Sequence, residues 1–449
     1  MAFSYHPPTR SSCKVCEHLL QAYPAEPLIG TFEGRSCMAN GYPFHDWYNF
    51  VLGYTPVFPE YMLQREGIRA GDGNIVLDPF NGSGTTQLVC KLKGIPSYGI
   101  DANNFMVFAA QQKLNWNVNC DAIEAAKQHI IATYLAAAAG IDWDDRDHLA
   151  ALANTDRPAA LDCRYISDKP LVKIKLLKAA VKAQTEGAER DLFLFAISSI
   201  LVPVSNVKYG PGFGIKPKED ADVLQAFRDK VNMMLTDLRS VTDVQRRTLA
   251  TTLLGDSRSL TDYVAENSIS LMITSPPYPG DHEYTKHSKL ELIFQGYATD
   301  LASFRTIKKR MIRGSTTNIY KEDHERALVE DIAEIRQITD LIDARLKSDG
   351  ATSGFEKLYT KLIWEYFGGM AATLRECYRV LRPGGKISLL VSDSHAFKMV
   401  HIQTAELLRI VGERLGYVNA EVVLWQMKNS TSHKYQLREN ILILEKPAQ

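Results

Sequence analysis

The period of apolar and polar positions changes repeatedly along the chain, and each change predicts an element. Residues 1–44 are irregular, and 45–70 read as partly helical. A short apolar run predicts a strand over Asn74–Leu77, followed by a glycine-rich turn and a helix from about Thr85. A second strand, in "IPSYGID", ends at Asp101. From 105 to 250 the pattern is mainly helical, interrupted by the Gly-, Pro- and Lys-rich stretch "NVKYGPGFGIKPKED", which reads as a mobile loop or a surface excursion. Strand pattern resumes in "TTLLGD" and again in "SISLMIT", where Ser275-Pro276-Pro277-Tyr278 breaks it. Residues 285–350 are charged and helical. An amphipathic helix over about Phe355–Val380 is stopped by Pro383 and Gly384. A strand ("KISLLVSDS"), a helix ("TAELLRIVGERLG") and two strands ("AEVVLW", "NILILEK") complete the chain.

Strands alternating with helices predict an α/β fold with a doubly wound parallel sheet. The pattern divides the chain into an irregular segment (1–44), a sheet domain (45–104 and 250–449) and a helical insertion (105–249). A second charged insertion covers about 285–350.

Composition changes this picture little. The chain has 449 residues, 45% of them hydrophobic, enough for a substantial core. Lys+Arg and Asp+Glu both number 52, so the net charge is zero. A polycation is excluded, but a local basic face able to hold nucleic acid is not. No apolar run of signal-peptide kind opens the chain, and the longest, Leu192–Val204, is too short to span a bilayer. A soluble intracellular protein is expected. The seven cysteines are scattered and predict no disulfide framework. Cys13 and Cys16 form one CxxC, with His18 nearby, but no second ligand pair follows at zinc spacing, and no metal is expected.

The candidate chemistry lies where strands end. In "DPFNGSGTT" a strand hands over to a helix through glycines that let backbone approach a ligand, and Asp101 follows at the end of the next strand. That spacing suits a carboxylate gripping the two hydroxyls of a ribose. The loop lacks the GK[ST] ending of a phosphate cradle. Asp78, Phe80, Gly82, Gly84, Thr85 and Asp101 are therefore candidate contacts to a nucleoside cofactor, and S-adenosylmethionine fits an acidic, phosphate-free site. Asp256, after the next strand, is a candidate acceptor for an adenine amine, or else a turn-capping aspartate.

"LDPFNGSGTT", "GIDANN", "GDSRSL" and "TSPPY", in that order, resemble the DNA methyltransferases that act on exocyclic amines, the TSPPY type. The resemblance covers about 45–104 and 250–449. It implies a Rossmann-like class I methyltransferase sheet with a large helical insertion, S-adenosylmethionine as cofactor, and double-stranded DNA as partner. It implies a cytoplasmic, nucleoid-associated protein of a prokaryote, and leaves a cognate restriction endonuclease open as a second partner. In such a site Tyr278 stacks on a flipped-out base, while Ser275 and the Pro276 carbonyl accept hydrogen bonds from its amine; Pro277 stiffens the turn. Serine before Pro-Pro-Tyr favours N4 of cytosine; N6 of adenine, an RNA base and a catalytically silent DNA binder remain alternatives. None of the cysteines follows a proline, against the covalent chemistry of C5 methylation. Tyr284 stands where the family carries a Tyr-Thr pair. Lys308, Lys309, Arg310 and Arg313, in a basic run after the motif, are candidate phosphate contacts. The helical insertion is the candidate target-recognition region.

Overall fold

The computed structural model describes residues 42–209, 213–280, 282–350, 353–429 and 436–448. The segment bearing Cys13, Cys16 and Cys37 lies outside the described residues. A seven-stranded sheet runs through the molecule: β1 (Val76–Asp78), β2 (Ser97–Asp101), β5 (Ala250–Leu254), β6 (Ile269–Thr274), β7 (Leu381–Ser392), β8 (Val418–Asn429) and β9 (Gln436–Glu445). Its order is β5-β2-β1-β6-β7-β9-β8. The first five strands are parallel; β9 pairs antiparallel with both β7 and β8. The expected doubly wound α/β sheet is thus present, with an antiparallel hairpin at one edge that the run lengths in "AEVVLW" and "NILILEK" do not convey.

Every residue of β1 and β6 is buried, which is why their sequences read as continuous apolar runs rather than alternating ones. The pleat divides them between two cores. Leu77 and Met272 face the helices Ala333–Ser348, Tyr359–Val380 and Thr404–Arg414. Val76, Leu271 and Ile273 face the helix Val57–Arg65 and the helix Thr85–Leu92. The chain runs outward from β1 through β2 to β5, then returns to place β6 on the other side of β1. The carboxyl ends of β1 and β6 therefore diverge at a topological switch point, where open α/β sheets bind ligands.

Among the described residues the helical block holds six helices of nine residues or more: Asn104–Leu114, Cys120–Ala138, Arg146–Asn154, Asp168–Gln184, Gly187–Val204 and Val223–Ser240. Asn104–Leu114 lies against β2 and β5, and its Phe105 and Phe108 share a core with Trp47, Tyr48, Phe195 and Phe227. The block is thus continuous with one flank of the sheet. The Gly- and Lys-rich stretch expected as a loop forms a two-stranded antiparallel ribbon, β3 (Val207–Tyr209) with β4 (Phe213–Ile215). Three-residue strands are too short to print a readable period.

The helix Tyr359–Val380 begins four residues later than the pattern predicts, behind a short 3-10 turn over Glu356–Leu358. A glycine pair in its middle has a packing reason. A Cβ on Gly368 would lie 2.1 Å from the Glu325 carbonyl oxygen. Ordinarily alanine is favoured over glycine inside a helix by about 1 kcal/mol. Here Gly368→Ala is expected to lower stability instead, by roughly 1–3 kcal/mol, read as a lower denaturant midpoint at unchanged slope.

Candidate functional site

The "DPFNGSGTT" loop leaves β1 at Asp78 and enters the helix Thr85–Leu92 through Gly84, whose φ of 84° suits glycine. Asp78 is fully buried and works beneath the loop. Its carboxylate accepts hydrogen bonds from Tyr54 Oη (2.6 Å), Thr274 Oγ1 (2.5 Å) and the Phe80 amide (3.0 Å). It so ties β1, β6 and the Tyr54 segment together. Burial pushes its pKa up to about 6, against the pull of those hydrogen bonds.

Asp101 closes the other side. Its Oδ2 accepts from the Gly82 amide (2.7 Å) and its Oδ1 from the Asn103 amide (2.8 Å). Each oxygen keeps a lone pair for a further donor. Burial raises this carboxyl to about 6 as well, with the Asp78 charge adding to the rise.

Between the loop and the "TSPPY" turn lies a cavity. Phe80, Asn81, Gly82, Thr85 and Asp101 form one wall, and Phe50 and Tyr54 a second. Ser275, Pro277 and Tyr284 form a third. Asn81 is buried and both ends of its amide lack a partner. Its side chain occupies the space over Gly99, where a Cβ would stand 2.4 Å from Asn81 Cγ. An unpartnered amide, an acidic strand end with free lone pairs and an aromatic face fit a nucleoside that brings hydroxyls and ring nitrogens, as S-adenosylmethionine does. Gly84 shapes the turn without lining the cavity. Asp256 caps the turn Ser257–Asp262 and holds Arg258, with Nη2 at 2.6 Å from its Oδ2; its neighbour Ser257 lines the cavity in its place.

The Asp101 geometry carries a pH dependence. Protonation places an O–H where the Gly82 or Asn103 N–H already points, and removes the acceptor a diol needs. Cofactor affinity is therefore expected to fall as pH drops through about 6, measured by calorimetric titration between pH 5 and 8. For folding the sign is opposite: a carboxyl raised in the folded state favours the fold at low pH, and that contribution is lost as pH rises through about 6.

The catalytic motif is held at each residue. Ser275 Oγ lies 3.0 Å from the Leu390 carbonyl oxygen of β7 and 3.1 Å from Tyr278 Oη. Tyr278 Oη in turn donates to Glu439 Oε1 at 3.1 Å. The Tyr278 amide donates to Tyr284 Oη (3.1 Å), and Tyr366 Oη donates to the Pro277 carbonyl (2.9 Å). Pro276 is buried between them. Burial, with Glu439 adding to it, lifts the Tyr278 hydroxyl well above its ordinary pKa, and burial takes Tyr284 to about 12, so both are neutral donors and acceptors. Asn81 stands inside the "DPFNGSGTT" loop, although the sequence alone does not single it out, whereas Tyr54, Tyr366 and Glu439 carry no motif of their own. Tyr54 lies in the apolar segment preceding the glycine loop; Tyr366 and Glu439 are legible only once the helix and strands that carry them are packed and paired.

The basic run divides. Lys308 and Arg310 line the cavity. Lys308 Nζ pairs with Glu283 Oε2 at 2.8 Å, and Arg310 Nη2 donates to Asn104 Oδ1 at 2.7 Å. The side chain of Lys309 is 48% exposed at the end of the helix Leu301–Lys309. Arg313, read from the sequence as a phosphate contact, is buried: its guanidinium pairs with Asp323 (2.9 Å) and donates to the Lys309 carbonyl (3.2 Å). It pins the loop and offers no surface to a phosphate. Among the described residues no cluster of His, Cys, Asp and Glu is arranged to hold a metal ion, and no helix is long and apolar enough to cross a membrane.

Residues 53–112 match the family model of N6/N4-type enzymes described as DNA methylase. The type II methyltransferase M.BsoBI of Geobacillus stearothermophilus is 22% identical over 443 residues, spanning 90% of this chain and 86% of that one. M.AvaI of Nostoc sp., also a type II methyltransferase, is 28% identical over 160 residues, or 34% of this chain and 31% of that one. TrmN from Thermus thermophilus superposes with a TM-score of 0.24 at 12% identity, covering 90% of this chain and 52% of that one, a likeness too slight to bear on fold or function.

Proposed function

We propose that this chain, which is similar to amino-methylating DNA methyltransferases, transfers methyl from S-adenosylmethionine to N4 of cytosine in duplex DNA. The observation that carries this reading is the Ser275 hydroxyl. It has one proton and two protein acceptors for it, Leu390 O and Tyr278 Oη. Its lone pairs are then left for a donor, and an exocyclic amine is such a donor. The cofactor supplies an electrophilic methyl group when bound. Ser275 and the Pro276 carbonyl would accept from the amine and draw its nitrogen out of conjugation with the ring. Tyr278, fixed at its hydroxyl end, would stack on the base, which must leave the duplex to reach it. Positioning and fixed dipoles then supply most of the rate. Phe80, Gly82, Thr85 and Asp101 would hold the nucleoside end of the cofactor, and Asn81 joins them. Tyr284 would border the flipped base.

Lys308 and Arg310, which line the cavity, and the exposed Lys309 are the candidate phosphate contacts, and the helical block is the candidate for the part that reads sequence. Lys309→Ala is expected to weaken binding of every duplex about equally and to reduce the slope of log K against log salt by about 1, measured by fluorescence anisotropy. The likeness to enzymes named type II methyltransferases supports a restriction endonuclease as functional partner. The direct test is tritium transfer from labelled cofactor to duplex DNA, single-stranded DNA and RNA side by side. Incorporation into duplex DNA supports the reading. Incorporation into RNA alone, or cofactor binding with no transfer, would move it to an RNA enzyme or a silent binder.

A further inference from the structure

Glu439 is buried on β9, a strand far from the motif in sequence, yet its Oε1 takes the Tyr278 hydroxyl at 3.1 Å. Gln426 Nε2 and Lys428 Nζ, both on β8, donate to the same carboxylate. We propose that Glu439 sets the direction of the hydrogen-bond chain through Tyr278 to Ser275, so that Ser275 meets the target amine only as an acceptor. The inference rests on the amine-methylating reading and adds a positioning residue to it.

An ionised carboxylate accepts and cannot donate. Tyr278 has one hydroxyl proton, and beside Glu439 that proton goes to the carboxylate. The phenolic oxygen is then an acceptor towards Ser275 Oγ, 3.1 Å away. Whichever acceptor takes the serine proton, Tyr278 Oη or Leu390 O, no protein donor among the described residues points at Ser275 Oγ. Lys428 Nζ shares Oε1 with the Tyr278 hydroxyl, while Gln426 Nε2 is on Oε2. A lysine ammonium has no acceptor, so in Glu439→Gln it holds the amide oxygen at the Oε1 position and Tyr278 still donates to it. Glu439→Leu leaves the phenol no acceptor on that side. Its proton then turns to Ser275 Oγ, and a lone pair meant for the amine is filled.

The test uses the full chain labelled with 13Cζ-tyrosine, with Tyr278→Phe assigning the Tyr278 signal. A phenol donating to a carboxylate is electron-rich at Cζ, so the wild-type resonance is expected downfield of free tyrosine, and Glu439→Leu is expected to move it upfield. Single-turnover methylation is measured on the same proteins. Glu439→Leu is expected to slow the chemical step roughly tenfold, the scale of one misdirected hydrogen bond, with cofactor Kd unchanged. In the Tyr278→Phe background the same substitution is expected to cost nothing further. A Tyr278 signal at the free-tyrosine position, or an equal loss in both backgrounds, would overturn the proposal. If the wild-type chain methylates no DNA, the functional reading fails, while the resonance still decides the direction of the chain.

Discussion

Ser275→Ala is expected to lower the methylation rate by about 10²–10³-fold, the scale seen when one preorganised polar group of a reaction centre is removed. Cofactor affinity is expected to stay within about twofold, because the nucleoside wall is built from β1 and β2 rather than from this turn. The reason lies in where Ser275 sits. β6 ends one residue before it, and the Leu390 carbonyl of the neighbouring strand is 3.0 Å from its hydroxyl. Alanine removes the acceptor for the amine and leaves Leu390 O and Tyr278 Oη without their shared neighbour. Loss of those contacts costs the fold only about 1 kcal/mol, so the variant remains folded and the defect appears in kcat rather than in KM for the cofactor. Rapid-quench transfer with saturating DNA separates the two. A variant that transfers at the wild-type rate would remove Ser275 from the chemistry.

Asp101→Asn is expected to weaken cofactor binding by roughly 10²-fold or more, since hydrogen bonds to a charged acceptor contribute about 1.5–3 kcal/mol each. The change is small in volume but wrong in polarity. The Gly82 amide donates to Oδ2 at 2.7 Å and the Asn103 amide to Oδ1 at 2.8 Å. An asparagine offers one acceptor and sets an NH2 against the other N–H. The glycine loop must move, and the same oxygen no longer accepts from a ribose hydroxyl. Because the acid is already raised to about 6, lowering the pH of the wild-type protein should imitate the variant, and the variant's own affinity should be flat through that range. Isothermal titration with the cofactor at pH 5.5 and 7.5 reads both effects.

The parts of this site legible in the sequence are those that one strand end carries by itself. "DPFNGSGTT" places its glycine turn and helix start within a residue of the structure, and β2 ends at Asp101 as the pattern predicts. "TSPPY" marks the end of β6 because two prolines cannot continue a buried strand. What the sequence does not show is partnership across the sheet. Glu439 reaches Tyr278 only because β9 turns back antiparallel beside β7, and Tyr366 reaches Pro277 only through the packing of a helix on one face. Arg313 shows the converse limit. A basic run gives charge but not burial, and Asp323 ten residues on decides that this arginine faces inward. Asp256, likewise, has its oxygens taken by the arginine two residues after it, a local pairing that outcompetes a distant ligand in this structure.

The most direct measurement is nucleoside mass spectrometry on DNA from cells expressing this chain, with the Ser275→Ala variant as control. The expected result is N4-methylcytosine that disappears in the variant. N6-methyladenine in its place would contradict the cytosine assignment, and DNA without any modified base would contradict the account of Ser275, Pro276 and Tyr278 as a site for the amine of a DNA base.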